Sequence, residues 1–208
     1  MFQWYKDKKL FKDRTRGFTL VELVIVLSIF AIMSAIVLFN YHGFLSKVDI
    51  KSLANDVALK IVEVQKNSAA GKQNLLANST WKPSYGLYFN LANSGNTGNG
   101  IFYSFVDLNQ NKQFDAGSYN CPSNECVEKI NLTKKNIISG LQVFYTNNTS
   151  IVVQNLTISF MRPSFGATIK STSTLGSNIS YAQIGVSSPD GSVKSNIKIY
   201  ASGRIQIN

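Results

Sequence analysis

The longest hydrophobic segment of the 208-residue chain extends from Phe18 to Phe39. Fifteen residues of this segment are Phe, Leu, Ile or Val, and Glu22 is its only charged residue. A helix of this length and composition can span a lipid bilayer. The pattern therefore predicts a transmembrane helix that contains one carboxylate near its start.

The helical pattern continues beyond Phe39 in an amphipathic form. Charged residues alternate here with apolar ones. The apolar residues recur at spacings of four, four and three: Leu53, Val57, Ile61 and Val64. This spacing places them on one face of a helix, which must pack against a partner. No proline precedes Pro83 and Gly71 can end a helix, so we predict one helix from Phe18 to near Asn67.

After Gly71 the sequence changes to short runs of β-branched and aromatic residues, separated by Gly, Asn and Ser. Such runs are typical of strands. We predict strands at 85–90, 101–106, 137–145, 151–160, 181–186, 193–200 and 204–207. Asp190-Gly191 and Ser202-Gly203 indicate tight hairpin turns. The chain is therefore predicted to be α+β, with the helix packed on an antiparallel β-sheet or a small β-sandwich.

The charge flanking the apolar segment predicts its orientation. Two acidic residues precede it, Asp7 and Asp13, against six basic ones: Lys6, Lys8, Lys9, Lys12, Arg14 and Arg16. By the positive-inside rule the N-terminus stays cytoplasmic and the rest of the chain is exported. A secretory signal peptide would have a shorter apolar core followed by a small-residue cleavage site. The segment is therefore interpreted as an anchor.

The residues from Gly17 to Leu23 read GFTLVEL and follow the basic leader directly. They closely resemble the cleavage and assembly signature of type IV prepilins and of type II secretion pseudopilins. In that family a prepilin peptidase cuts after the glycine, and the new N-terminal residue is methylated. The resemblance implies cleavage between Gly17 and Phe18 and methylation of Phe18. It also implies that Glu22 pairs with the N-terminal amine of a neighbouring subunit, because an unpaired buried charge is strongly unfavourable.

The part of the chain beyond the membrane resembles minor pilins and pseudopilins of the GspH/FimT type. The resemblance is carried by the helix followed by an all-β domain, and by the motifs FVDLNQNKQFDAG and FMRPSFG. It implies a leader at 1–17, a transmembrane and filament-core helix at 18–39, an amphipathic continuation at 40–70, and a β-rich head at 71–208.

The resemblance implies a structural, non-enzymatic and minor subunit of a type IV pilus or a type II secretion pseudopilus. Such a subunit crosses the bacterial inner membrane once and then joins a periplasmic or extracellular filament. Its implied partners are other pilin or pseudopilin subunits, prepilin peptidase, the inner-membrane assembly platform, and membrane lipid before assembly.

Two alternative functions remain open: a DNA-binding minor pilin of natural transformation, and an uncleaved bitopic protein with an extracytoplasmic β-domain. Without residues 1–17 the chain keeps 15 basic and 9 acidic residues, a formal charge of +6. This charge is dispersed along the sequence, so it supports phosphate binding only weakly.

Cys121 and Cys126 are the only cysteines and lie in the short segment CPSNEC. In an exported protein they are expected to form a disulfide, and the alternative is a pair of reduced thiols in a loop. A single pair with no second pair or histidine cluster does not complete a zinc site.

One polar cluster is a candidate calcium site. Its side chains and one carbonyl, that of Gln113, alternate as oxygen ligands do in a loop that wraps the ion: Asp107, Asn109, Asn111, Gln113 and Asp115. Against calcium, Lys112 stands where such loops prefer glycine, and Ser118 where an EF-hand supplies a bidentate glutamate. Asx residues also build ordinary turns, so both interpretations stay open.

The sequence gives little indication of catalysis. Its only histidine, His42, follows the apolar segment, and neither a nucleophile elbow nor a phosphate-binding loop is present. No enzymatic activity is expected, and no cofactor other than calcium is suggested.

Overall fold

The computed structural model describes residues 17–73, 82–93, 95–115, 119–122 and 124–208. The chain forms two compact units, Met1–Gly43 and Phe44–Asn208. The predicted leader lies outside the described residues except for Gly17, and so do Ser118 and the side chain of His42.

One helix, α1, extends over Leu20–Ala69, which confirms the helix predicted from the apolar pattern. Gly71 ends it in the left-handed conformation, with φ of +62°. The Gly71 N–H donates to the carbonyl of Ser68 at 2.9 Å, and the Lys72 N–H donates to the carbonyl of Asn67 at 3.0 Å. This pair of bonds is a Schellman motif, which satisfies carbonyls that the helix itself leaves unpaired.

Ten strands follow α1: β1 (Ser84–Asn90), β2 (Ile101–Asp107), β3 (Cys126–Asn131), β4 (Ile137–Tyr145), β5 (Ser150–Val152), β6 (Asn155–Phe160), β7 (Ala167–Lys170), β8 (Ile179–Ser187), β9 (Lys194–Tyr200) and β10 (Ile205–Ile207). A 3₁₀ turn at Thr133–Lys135 precedes β4. The first sheet has the order β3-β2-β1-β6-β7 and the second has the order β10-β9-β8-β4-β5. All pairings are antiparallel, so the predicted α+β class is confirmed.

The main core of the head joins the C-terminal part of α1 to both sheets. The predicted apolar stripe of α1 is buried, and no member is more than 5% exposed: Leu53, Val57, Ile61 and Val64. Alternate residues of the strands complete the same core, for example Leu87 in the first sheet and Ile184 in the second. The amphipathic half of the helix therefore supplies one wall of the hydrophobic core.

A second, smaller core covers the other face of the first sheet. It is mostly aromatic and contains Tyr88, Tyr103, Phe105, Phe114 and Cys126. Phe114 comes from the loop after β2, and its ring lies 5.0 Å from that of Tyr88 and 5.6 Å from that of Phe105. Because this loop covers the sheet, β1 and β2 are buried on both faces.

The predicted strand at 151–160 was wrong in one respect, because this segment contains two strands in different sheets. Val153 and Gln154 separate β5 from β6. The Val153 N–H donates to Leu141 of the second sheet, and the Gln154 carbonyl accepts from Leu91, which follows β1 of the first sheet. The strands β3 and β7, at the two edges of the first sheet, were not predicted.

Both predicted hairpin turns are confirmed. The Gly191 N–H donates to the carbonyl of Ser188 between β8 and β9, and the Gly203 N–H donates to that of Tyr200 between β9 and β10. Gly203 has φ of +88°, and a β-carbon there would collide with the carbonyl of Phe165. Glycine is therefore required at the second turn for both backbone conformation and space.

We expect Ile61→Ala to destabilise a fragment that begins at Phe44 by about 2–5 kcal/mol, because Ile61 is fully buried and its loss leaves a cavity. The matched control is Val62→Ala, since Val62 is 46% exposed on the same helical turn. Urea unfolding followed by circular dichroism measures both changes. Equal effects of the two substitutions would contradict the packing of this helix face in the core.

Candidate processing and assembly site

The residues of the predicted cleavage site lie immediately before α1. Gly17, Phe18 and Thr19 have no regular secondary structure, and the side chain of Phe18 is 82% exposed. A β-carbon added at Gly17 would meet no atom within 4 Å. Nothing in the described structure therefore demands glycine at this position for packing.

Thr19 and Glu22 together cap the start of α1. The Glu22 N–H donates to Thr19 Oγ1 at 3.2 Å, and the Thr19 N–H and Oγ1 both lie 3.4 Å from Glu22 Oε2. This reciprocal arrangement is a capping box, in which each side chain serves a backbone donor of the other residue. This role was not predicted from the sequence, although the T-x-x-E spacing before an apolar run is its signature.

Glu22 lies on the first turn of α1, where the partial positive charge of the helix terminus favours a carboxylate. It is exposed, and among the residues described in the structure it has no salt bridge. Its local partners are thus the uncharged donors of Thr19. The carboxylate remains accessible to a cation from another molecule.

The first half of α1 exposes apolar side chains in every direction around the helix. Large hydrophobic residues from Leu20 to Phe39 are between 53% and 87% exposed. Within the described ranges, α1 is the one helix long and apolar enough to cross a membrane. A surface of this kind is stable only where lipid or other apolar protein covers it.

Comparison with protein families identifies this segment. The family model described as "Prokaryotic N-terminal methylation motif" matches residues 12–38. The chain therefore carries a prepilin-type methylation motif, which supports a type IV pilin-like subunit of a pilus or pseudopilus and points to a structural protein. Comparison with curated proteins found no match, and comparison with solved structures found none.

The predicted disulfide between Cys121 and Cys126 is present, with 5.2 Å between the two α-carbons. Cys126 is buried at the start of β3, whereas Cys121 belongs to the loop that follows β2. The bond therefore ties the end of this loop to the edge of the first sheet.

Glu125, which the sequence analysis did not single out, holds the same loop by its carboxylate. Oε1 accepts from the Leu108 N–H at 3.0 Å, and Oε2 accepts from the Asp115 N–H at 2.9 Å. Glu125 is only 5% exposed, and burial raises the pKa of its carboxyl. Its position next to Cys126 means that the disulfide also anchors the residue that organises the loop.

The candidate calcium residues occupy this loop. Asp107 is 1% exposed, and its Oδ2 accepts from Ser84 Oγ at 2.8 Å and from the Lys112 N–H at 3.0 Å. Its Oδ1 is buried with no hydrogen-bond partner in the described structure. Lys112 has φ of 62°, so lysine adopts here the conformation for which calcium loops prefer glycine.

The remaining candidate residues form a ring of Asx contacts. The Asn111 and Gln113 N–H groups donate to the side-chain oxygens of Asn109 and Asn111, respectively, and both asparagine amides donate to the Asp115 carboxylate. Such contacts build Asx turns. Among the described residues, no group of three or more His, Cys, Asp or Glu side chains could hold a metal ion. Calcium binding therefore stays a prediction.

If the loop binds calcium, we expect CaCl₂ to raise the melting temperature of the Phe44–Asn208 fragment by roughly 3–5 °C when its concentration is about ten times the dissociation constant of the complex. Binding to the folded state alone then stabilises the fragment by about 1.4 kcal/mol. Equal MgCl₂ is the control for ionic strength. Asp115→Asn should remove the shift, since Asp115 is the exposed carboxylate of the ring. Equal melting temperatures in calcium and magnesium would leave an ion-free Asx loop as the correct interpretation.

Proposed function

We propose that the chain is a prepilin-like filament subunit that is cleaved between Gly17 and Phe18, methylated on Phe18, and assembled through the helix at 18–39. The observation that carries this proposal is the basic leader joined directly to GFTLVEL, ahead of a helix that exposes apolar side chains all round. The leader promotes retention of the N-terminus in the cytoplasm, where a prepilin peptidase would act.

The proposed partners follow from the surface of α1. Before assembly, the apolar helix is covered by lipid of the inner membrane, which it crosses once. After extraction by the assembly platform, the same surface must be covered by the helices of other pilin or pseudopilin subunits. A soluble monomer would expose this whole surface to water, which is strongly unfavourable.

Glu22 supplies the specific contact of the proposed assembly. Inside a bundle of apolar helices an unpaired carboxylate is costly, whereas a carboxylate beside an ammonium group is compensated. Cleavage after Gly17 creates an ammonium group on Phe18. Pairing between Glu22 of one subunit and Phe18 of the next would therefore fix the axial position of each helix.

The proposal extends to a minor subunit of the GspH/FimT type. It is supported by the head in which two antiparallel sheets follow the helix, and by the motifs FVDLNQNKQFDAG and FMRPSFG. The described part of the first motif, up to Asp115, forms the end of β2 and part of the loop that covers the aromatic core, so in this chain it has a structural role.

We expect Gly17→Ala to block processing, because the peptidase must accommodate the residue before the cleaved bond, whereas the described structure leaves room for a methyl group there. Gly43→Ala is the matched control, since a β-carbon at Gly43 also meets nothing within 4 Å. Intact mass spectrometry after co-expression with a prepilin peptidase measures loss of residues 1–17 and methylation. Efficient cleavage of Gly17→Ala at the same bond would contradict the proposed requirement for glycine, whereas retention of residues 1–17 in the native protein would favour an uncleaved bitopic protein.

We expect Glu22→Gln to remain in the membrane but to be strongly depleted from filaments, because it leaves the ammonium group of the neighbour unpaired at a cost of about 3–5 kcal/mol. Thr19→Val is the control for capping, since it removes the hydroxyl of the cap but keeps the charge, at a cost of about 0.5–2 kcal/mol. Immunoblots of sheared filaments and membranes measure both variants. Normal incorporation of Glu22→Gln, or an equal defect of Thr19→Val, would contradict charge pairing.

A further inference from the structure

The second sheet presents a solvent-facing side on which residues that are distant in sequence meet. We define this outer face by two rows of paired, outward side chains. The first row is aromatic, Phe144, Tyr181 and Tyr200, and the second is polar, Gln142, Gln183, Lys198 and Gln206. The residues between them along the strands, such as Val143, Ala182 and Ile199, are buried in the main core.

The aromatic row carries two cations. The ring centroids of Phe144 and Tyr181 are 4.6 Å apart, and those of Tyr181 and Tyr200 are 5.3 Å apart. Lys198 Nζ lies 5.3 Å from the centroid of Tyr181, and Arg204 Cζ lies 3.9 Å from that of Tyr200. These cation–π contacts hold both charges at the surface of the sheet.

No acidic side chain balances these cations on the strands of the second sheet. Within 137–152 and 179–208, the sequence has one acidic residue, Asp190, in the turn between β8 and β9, where it accepts from Ser188 Oγ. Lys198 and Arg204 form no salt bridge with any described residue. The outer face therefore complements an anionic partner.

A polar depression lies beside Lys198 on the same face. Gly140 and Gly185 are paired across β4 and β8 beside a depression of about 250 Å³. At Gly185 the side chains of Ser139 and Asn196 approach the backbone closely, at 2.8 Å and 3.3 Å from the position of a β-carbon. Hydroxyl and amide groups and one apolar side chain line it: Ser139, Gln142, Val152, Gln183 and Asn196. A β-carbon at Gly140 would meet nothing within 4 Å, so this space is open to solvent.

A hydrogen bond positions polar groups at the other end of the face. Tyr200 Oη donates to Gln206 Oε1 at 3.1 Å. Amides and hydroxyls thus outnumber cations on the outer face. Such groups match the hydroxyls of a sugar, and the two cations match a carboxylate attached to it.

We propose that the outer face of the second sheet binds an acidic polysaccharide, with one sugar unit in the depression at Gly140 and Gly185 and sugar carboxylates at Lys198 and Arg204. A nucleic acid fits less well. The aromatic rings stack on one another and carry the cations, so their faces are not free for bases. Lys194 lies on the same side of β9 as Lys198, and together with Arg204 these three cations neutralise too few phosphates for stable binding to duplex DNA. The proposal is independent of filament assembly.

The test measures binding of the full chain, purified in detergent, to oligouronate prepared from alginate, by isothermal titration calorimetry. Neutral dextran oligosaccharide and duplex DNA are the comparison probes. We expect binding of oligouronate alone, and a loss of about tenfold or more in affinity for the double variant Lys198→Ala, Arg204→Ala, because two charge-assisted contacts are removed. Lys129→Ala, on β3 of the first sheet, is the matched control and should bind as the native chain does.

Gly140→Val tests the depression separately from charge. A β-branched residue suits a strand and has room here, so the melting temperature should not fall, whereas oligouronate affinity should fall by about tenfold or more as the depression fills. Absence of oligouronate binding, or binding unchanged in these variants, would overturn the proposal. Equal binding of dextran would also overturn it, as would salt-sensitive DNA binding that the same variants abolish.

Discussion

The head depends on burial of one stripe of α1. Ile61 and its neighbours on the stripe belong to the same hydrophobic core as both sheets, so the helix is part of the folded domain. Small, separate sheets would not bury enough apolar surface to offset the loss of chain entropy. The other side of this helix segment faces solvent, and its ion pairs, such as Lys60 with Glu63, are at least partly exposed and add little stability.

The second constraint is the loop after β2, which closes the first sheet on its other side. Phe114 fills the aromatic core, Glu125 binds two backbone N–H groups of the loop, and the disulfide of Cys126 fixes its end. The polar FVDLNQNKQFDAG motif therefore has a structural explanation that requires no ligand. The buried Oδ1 of Asp107, which has no hydrogen-bond partner among the described residues, is the feature that this explanation does not cover.

Local patterns were sufficient to predict α1 and most strands, because helical and strand periodicity depends on nearby residues. The break between β5 and β6 was not predictable in this way, since continuous apolar sequence does not show to which sheet each half belongs. The strand β3, CVEKIN, was missed because an edge strand with charged residues resembles a loop. The outer face of the second sheet could not be predicted either, because Phe144, Tyr181 and Tyr200 become neighbours only through the strand order β4-β8-β9.

Glu22 satisfies two requirements, because it caps α1 in the isolated subunit and supplies the charge for the proposed pairing. In the isolated subunit its carboxylate has uncharged partners on Thr19, and two of these contacts are long, at 3.4 Å. In the capping bonds only the acceptor is charged, whereas a bond from an ammonium group has opposite charges on both partners. Exchange of the cap for an ammonium partner would therefore replace two long contacts by an ion pair. The capping box then explains how the carboxylate is tolerated before assembly, and the proposed amine pair explains why the position carries a charge.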